Sequence, residues 1–121
     1  MKFQPDARAS QSITAHGPGW VEINREKYTS SIIVSARGER IDWLCGSFEQ
    51  LQPSNFEQLL TLDPELVLFG SGVRLRFPKP QWLESLYARR IGVESMDTGA
   101  ACRTYNFLAA EGRKVVAALL L

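Results

Sequence analysis

Near residue 45 the spacing of apolar residues changes from every second position to helical spacing, and this change most constrains what the chain can fold into. Before it, "SITAHGPGWVEIN" alternates Ile13 with Ala15, breaks at His16-Gly17-Pro18-Gly19, then alternates Val21 with Ile23. That is the pattern of two short strands around a turn. "SSIIVSARGERIDWL" repeats it: a strand at Ile32-Ile33-Val34, a turn at Arg37-Gly38, and a second strand in which Ile41 and Trp43 share a face. Together they predict a β-meander over about residues 11 to 45.

Beyond the change, strands and helices alternate. "PSNFEQLLTL" sets Ser54 before Glu57 at capping-box spacing, with Phe56, Leu59 and Leu60 on one helical face. Asp63-Pro64 ends that helix. "ELVLFG" is a continuous apolar strand, as expected when both faces of a sheet are covered. A second helix over about Pro80 to Arg90 should turn Trp82, Leu83, Leu86 and Tyr87 inward, with Gly92 just beyond its end. "IGVESM" reads as a strand, and Thr98 as the cap of a third helix that buries Ala101, Tyr105 and Leu108 and stops near Gly112. "KVVAALLL" closes the chain as a buried strand. A meander followed by α-β-α-β-α-β predicts one α/β domain over residues 1–121 with a sheet that is parallel in its C-terminal part. The N-terminal strands either extend that sheet or form a second layer on it, and residues 1–10 read as a disordered tail.

With 121 residues and 45% hydrophobic content, such a domain can bury its own core without a disulfide or metal. Cys45 and Cys102 stand 57 positions apart and His16 is the only histidine, so no metal-ligand spacing exists and the expectation is two reduced thiols and no metal or cofactor. No apolar segment resembles a signal peptide, and the run at 115–121 is too short to cross a bilayer of ~30 Å as a helix. The expected location is cytoplasmic. A net charge of +1 argues against nucleic acid as a partner. Residues 70–121 nevertheless carry eight Lys/Arg against four Asp/Glu, a half that attracts anions.

"LVLFGSGVRLRFPK" carries the first candidate site. Gly70-Ser71-Gly72 follows a buried strand, where ligands of open α/β sheets collect, and Asp97-Thr98 follows the next strand. The P-loop pattern fails, because no Lys-Ser/Thr pair and no immediate helix follow the glycines. A dinucleotide GxGxxG fails as well. Arg74 and Arg76, two apart in an extended segment, would project the same way beside the glycines and supply cations to an anionic small molecule.

"DTGAACRTYNFLAAEGR" carries the second. Cys102 falls in the second turn of the predicted helix, where the positive end of the helix can acidify a thiol and make it a reactive nucleophile. A catalytic thiol also needs a base, and His16 belongs to a distant turn. Arg103 and Asn106 are three apart on the face opposite Tyr105 and Leu108, placed to line a polar cleft beside the glycine turn.

The segments "LVLFGSGVRLRFP" and "GVESMDTGAACRTYNFLAAEGRKVVAALL" resemble a small α/β family of unknown biochemical function, whose mitochondrial relatives include assembly factor three of respiratory complex I. The resemblance runs from about residue 12 onward and is densest over 66–121. It implies a three-layer β/β/α domain with a central mixed, largely parallel sheet in which one strand runs antiparallel to the others. It also implies a cleft near Gly70, Ser71, Gly72, Thr98, Arg103 and Asn106. It brings no substrate, reaction or cofactor with it. Three readings of function follow, in order: a non-catalytic protein-interaction or assembly module, an anionic-ligand domain using the glycine turn, and an enzyme dependent on Cys102. The first needs an exposed apolar patch, for which Trp20 and Phe48 are the candidates.

Overall fold

Both faces of a central sheet are covered, which is why its strands are apolar at consecutive positions. The computed structural model describes residues 11–121, so the tail expected over 1–10 lies outside the described residues. The sheet contains β4 (Ile32–Ser35), β5 (Arg40–Asp42), β6 (Leu66–Gly70), β7 (Gly92–Met96) and β8 (Val115–Leu119), in the order β5-β4-β8-β6-β7. β6 pairs in parallel with both β7 and β8, whereas β4 runs antiparallel to β8 and to β5. Four strands therefore share a direction and β4 alone opposes them. The fold is the mixed, largely parallel three-layer α/β domain the sequence pointed to.

Ile33, Val67, Phe69, Val116 and Ala118 enter one core, while Ile32, Val34, Leu68, Val115 and Ala117 enter a second core on the opposite face. Two open alternatives for the N-terminal strands are both realised. β1 (Ile13–Gly17), β2 (Trp20–Ile23) and β3 (Glu26–Tyr28) form a separate antiparallel sheet over the second face, while β4 and β5 extend the central sheet. β3 was not anticipated, since Glu26-Lys27-Tyr28 offers no apolar alternation.

Helices cover what remains. α1 (Pro53–Glu57) continues as a 3-10 turn over Gln58–Leu62, and α2 (Glu84–Ala88) is preceded by one over Pro80–Leu83. Both lie on the first face around an aromatic cluster in which Trp43 meets the edges of Phe56 and Phe69, with ring centroids 5.7 and 6.1 Å apart. α3 (Thr98–Ala110) lies on the second face beside the small sheet. The β6–β7 and β7–β8 connections run in opposite directions along the sheet, and crossovers of one hand then place their helices on opposite faces.

Several local expectations are corrected. The first helix starts at Pro53, and Asn55 rather than Glu57 returns its side chain to the cap, accepting the Gln52 N–H at 2.9 Å. Tyr87 is exposed, because the helical register that buries Leu83 and Leu86 turns it outward. Arg90, at φ 61°, makes the left-handed stop expected of Gly92, which instead opens β7.

Candidate functional site

At the end of β6 the chain turns at Ser71-Gly72, and at the end of β7 it turns into α3. Asp97 caps that helix, accepting the Ala100 N–H at 2.9 Å, so Thr98 is its first helical residue and not its cap. The released Thr98 hydroxyl does something else. It donates to the Leu120 carbonyl and accepts the Gly72 N–H, both at 2.8 Å, tying the ends of three neighbouring strands together.

These turns face the His16–Gly19 turn of the small sheet across a cleft of about 190 Å³. Its walls are that turn, Gly72 and Val73, Asp97 to Gly99, and Leu120 and Leu121. Gly70 lies beneath the wall: a Cβ there would stand 2.9 Å from Leu119 Cδ2 and 3.0 Å from Thr98 Oγ1, so glycine is required by close packing. A Cβ on Gly99 would stand 3.4 Å from His16 Cε1 and 3.5 Å from both Arg103 Nη1 and Asp97 Oδ1, which places the imidazole, the guanidinium and the carboxylate close around Gly99.

The predicted site residues are thus partly assembled. Gly72 and Thr98 line the cleft, and Arg103 stands close to Gly99 in its wall. Ser71 is buried and holds the following loop: its hydroxyl donates to the Arg74 carbonyl at 2.8 Å and accepts the Arg76 N–H at 2.9 Å. The N–H groups of Ser71 and Gly72 are engaged by Met96 and Thr98, so the turn's own donors serve the fold. Segment 71–79 is irregular, and its arginines do not project together over the glycines. Arg76 turns to Glu49 at 2.9 Å and lies 4.0 Å from the Phe48 ring centroid, while Arg74 is exposed. The Glu49 carboxyl is held below its usual range by that Arg76 hydrogen bond.

Asn106 leaves the cleft altogether. Its amide accepts the Ile13 N–H at 2.9 Å and donates to the Ile13 carbonyl at 2.7 Å, stitching α3 to β1. Cys102 is fully buried, and burial pushes its thiol up to about 12, outweighing the neighbouring Arg103 guanidinium. The acidification expected from the helix end is thereby reversed, because loss of solvent around the thiolate costs more than the helix terminus returns.

The sequence reading missed two features. Nothing in it brings the His16–Gly19 turn to α3, since that contact depends on the packing of two sheets. It also passed over a cluster of exposed apolar side chains on one loop. Trp20 and Phe48 are half-buried, whereas Val73, Leu75 and Phe77 stand out from the loop at 82, 48 and 70% exposure. Their alternation with Arg74 and Arg76 was the available signal.

A five-stranded mixed sheet with a small antiparallel sheet and a helix on one face defines a known class of small α/β domain. The chain is similar to a Bordetella parapertussis protein of solved structure, with 39% identity and a TM-score of 0.86 over 91% of this chain and 94% of that one. It is similar also to a Bordetella pertussis protein described as a Mth938-like domain, with 33% identity and a TM-score of 0.83 over 99% and 92% of the two chains. Residues 13–120 match the family described as "Protein of unknown function (DUF498/DUF598)", and the chain belongs to that family. Among curated proteins it is similar to NADH dehydrogenase [ubiquinone] 1 alpha subcomplex assembly factor 3 of Bos taurus, 38% identical over 82 residues, which is 66% of this chain and 45% of that protein. The chain therefore spans less than half the length of that relative. No helix among the described residues is long and apolar enough to cross a membrane.

Proposed function

We propose that this domain is a non-catalytic protein-interaction or assembly module. The observation that carries it is the loop at 71–79: Ser71 fixes its backbone while Val73 and Phe77 are left mostly in solvent. A fixed loop has already lost the conformational entropy that a mobile one would lose on binding, so its apolar side chains can contribute their burial directly to association. The assembly-factor relatives support a role among protein partners. A cytoplasmic, reducing location accords with two buried free thiols, and a net charge of +1 gives nucleic acid little attraction.

The test is affinity copurification from the native cell with wild type, a Val73→Ser/Leu75→Ser/Phe77→Ser variant, and Phe107→Ser as a control at an exposed apolar residue on α3. A reproducible partner should appear with wild type and the control and disappear with the loop variant. Absence of any reproducible partner, or equal recovery by all three, would sink the reading.

A second reading has one favourable observation. His16 lines the cleft and the Arg103 guanidinium stands close to Gly99 in its wall, two groups suited to a small anion, while the Asp97 carboxylate beside them is engaged by the Ala100 N–H. Phosphate titrated against the labelled protein should shift the amides of Gly72, Gly99 and Arg103 saturably if it is right. A silent titration removes phosphate as the ligand.

A further inference from the structure

The central sheet has one open side that bears on the interaction reading. β7 is its last strand and pairs with β6 alone among the described residues. Gly70 faces Met96 in the parallel register, and the Met96 carbonyl accepts the Ser71 N–H at 2.9 Å. Within a strand the N–H and C=O of one residue point to the same side, and successive residues point to opposite sides. Gly92, Glu94 and Met96 therefore turn their backbones toward β6, and Val93 and Ser95 turn theirs outward. No described residue bonds those outward groups.

Beside this edge runs a groove of about 420 Å³, lined by Phe77, Leu83 and Tyr87 and by Val93, Glu94 and Ser95 of β7. Phe77 and Tyr87 are 70 and 52% exposed. Two outward-facing residues with unpaired donors and acceptors, next to exposed aromatic walls, form the template for adding a strand.

Charge decides what fills it. A second copy of this chain could pair β7 with β7 antiparallel about a two-fold axis. The one register that satisfies Val93 and Ser95 of both copies sets Val93 opposite Ser95 and Glu94 opposite Glu94 in the close, non-hydrogen-bonded position. Like charges directly opposed there are destabilising. A foreign strand with a cation at that position meets no such penalty. We infer that β7 receives an extended segment of a partner protein, with an apolar or aromatic side chain between Phe77 and Tyr87 and a Lys or Arg opposite Glu94. This inference rests on the interaction reading and names the partner's chemistry.

The test is panning of random twelve-residue phage-displayed peptides on wild type, followed by affinity measurement of selected peptides on Ser95→Pro and Glu94→Lys. Ser95→Pro removes an outward donor and no ladder bond, so the sheet is retained, as amide spectra will verify. Wild type should select peptides that alternate apolar and basic residues. Those peptides should lose at least tenfold in affinity to Ser95→Pro, and Glu94→Lys should select acidic residues instead. Failure to enrich alternating basic peptides, or affinity unchanged by Ser95→Pro, overturns strand addition. Wild-type self-association abolished by Ser95→Pro overturns the choice of occupant. Either failure is separable from that of the interaction reading, which falls only if the copurification partner is absent or indifferent to the 73–77 loop.

Discussion

Replacing Thr98 by Val tests whether its hydroxyl is the fastener of the cleft. The two side chains have nearly the same shape, so what is removed is the oxygen that serves the Gly72 N–H and the Leu120 carbonyl, each at 2.8 Å. Thr98 is only 7% exposed, and Leu120 is buried with it. A buried polar group left without a partner costs about 1–3 kcal/mol. The Leu120 carbonyl belongs in the upper part of that range. The Gly72 N–H, at the cleft edge where water enters, belongs in the lower part. Their sum of about 3–4 kcal/mol, less about 1 kcal/mol gained from the added methyl, is about 2–3 kcal/mol, a substantial share of the ~5–15 kcal/mol that holds a domain of this kind. With a urea m-value of roughly 1–3 kcal/mol/M, the unfolding midpoint should fall by about 1–2 M. Thr98→Ser keeps the oxygen and should cost about 1 kcal/mol for the lost methyl. Urea unfolding of the three proteins followed by tryptophan fluorescence gives the answer. A Val variant as stable as the Ser variant would refute the assignment.

Gly70→Ala should destabilise by about 1–3 kcal/mol through overpacking, since its Cβ would fall within 3.1 Å of Leu119 and Thr98 atoms; an unchanged melting temperature would show that the wall can yield. Asn106→Ala should speed exchange of the Ile13 amide and cost about 1–3 kcal/mol, with little change in the amides of β4 to β8; uniform loss of protection would contradict a bond local to β1 and α3. Burial holds Cys102 protonated to about pH 12, against an ordinary value of 9.0, so the unfolded chain releases that proton first. The thiol's contribution to stability should therefore be constant below pH 9 and be lost from there toward 12, an interval in which the buried Cys45 thiol, raised to about 11, adds its own loss, so Cys102→Ala should lose less than wild type above pH 9; identical slopes by urea titration would exclude the Cys102 thiol as a cause. At neutral pH the same thiol should resist alkylation until the chain is unfolded.

How far the sequence could be read follows from the range of the forces involved. The period-two and helical patterns around residue 45 report each segment's own burial, and β1, β2 and β4 to β8 were legible from them. So was the covering of both faces, from the continuous apolar runs of β6 and β8. β3 was not legible, because Glu26-Lys27-Tyr28 is a strand only through its pairing with β2. The candidate cleft was half legible. Gly72 and Thr98 could be placed there because both end parallel strands of one sheet. Asn106 could not be placed, since its partner Ile13 is 93 positions away and belongs to a different sheet. Arg76 was assigned a direction from strand alternation, and Glu49, which actually holds it, had no visible relation to it in the sequence. Cys102 shows a local cue overruled by depth, because a helix end acts over one turn while burial depends on everything packed around it.

The position of β8 has a consequence for how the molecule is made. Its residues 115–119 lie between β4 and β6, with Ile32 set against Leu119. Within the sheet, the N-terminal strands β4 and β5 and the β6–β7 unit are thus joined by backbone pairing only through a strand that emerges from the ribosome after both. Until then each has an open sheet edge and half a core, the condition in which nascent chains misassociate. Closing such a distant pair also makes the fold's contact order high and its folding slow for its size. The seam of the sheet is the part of the chain that arrives late.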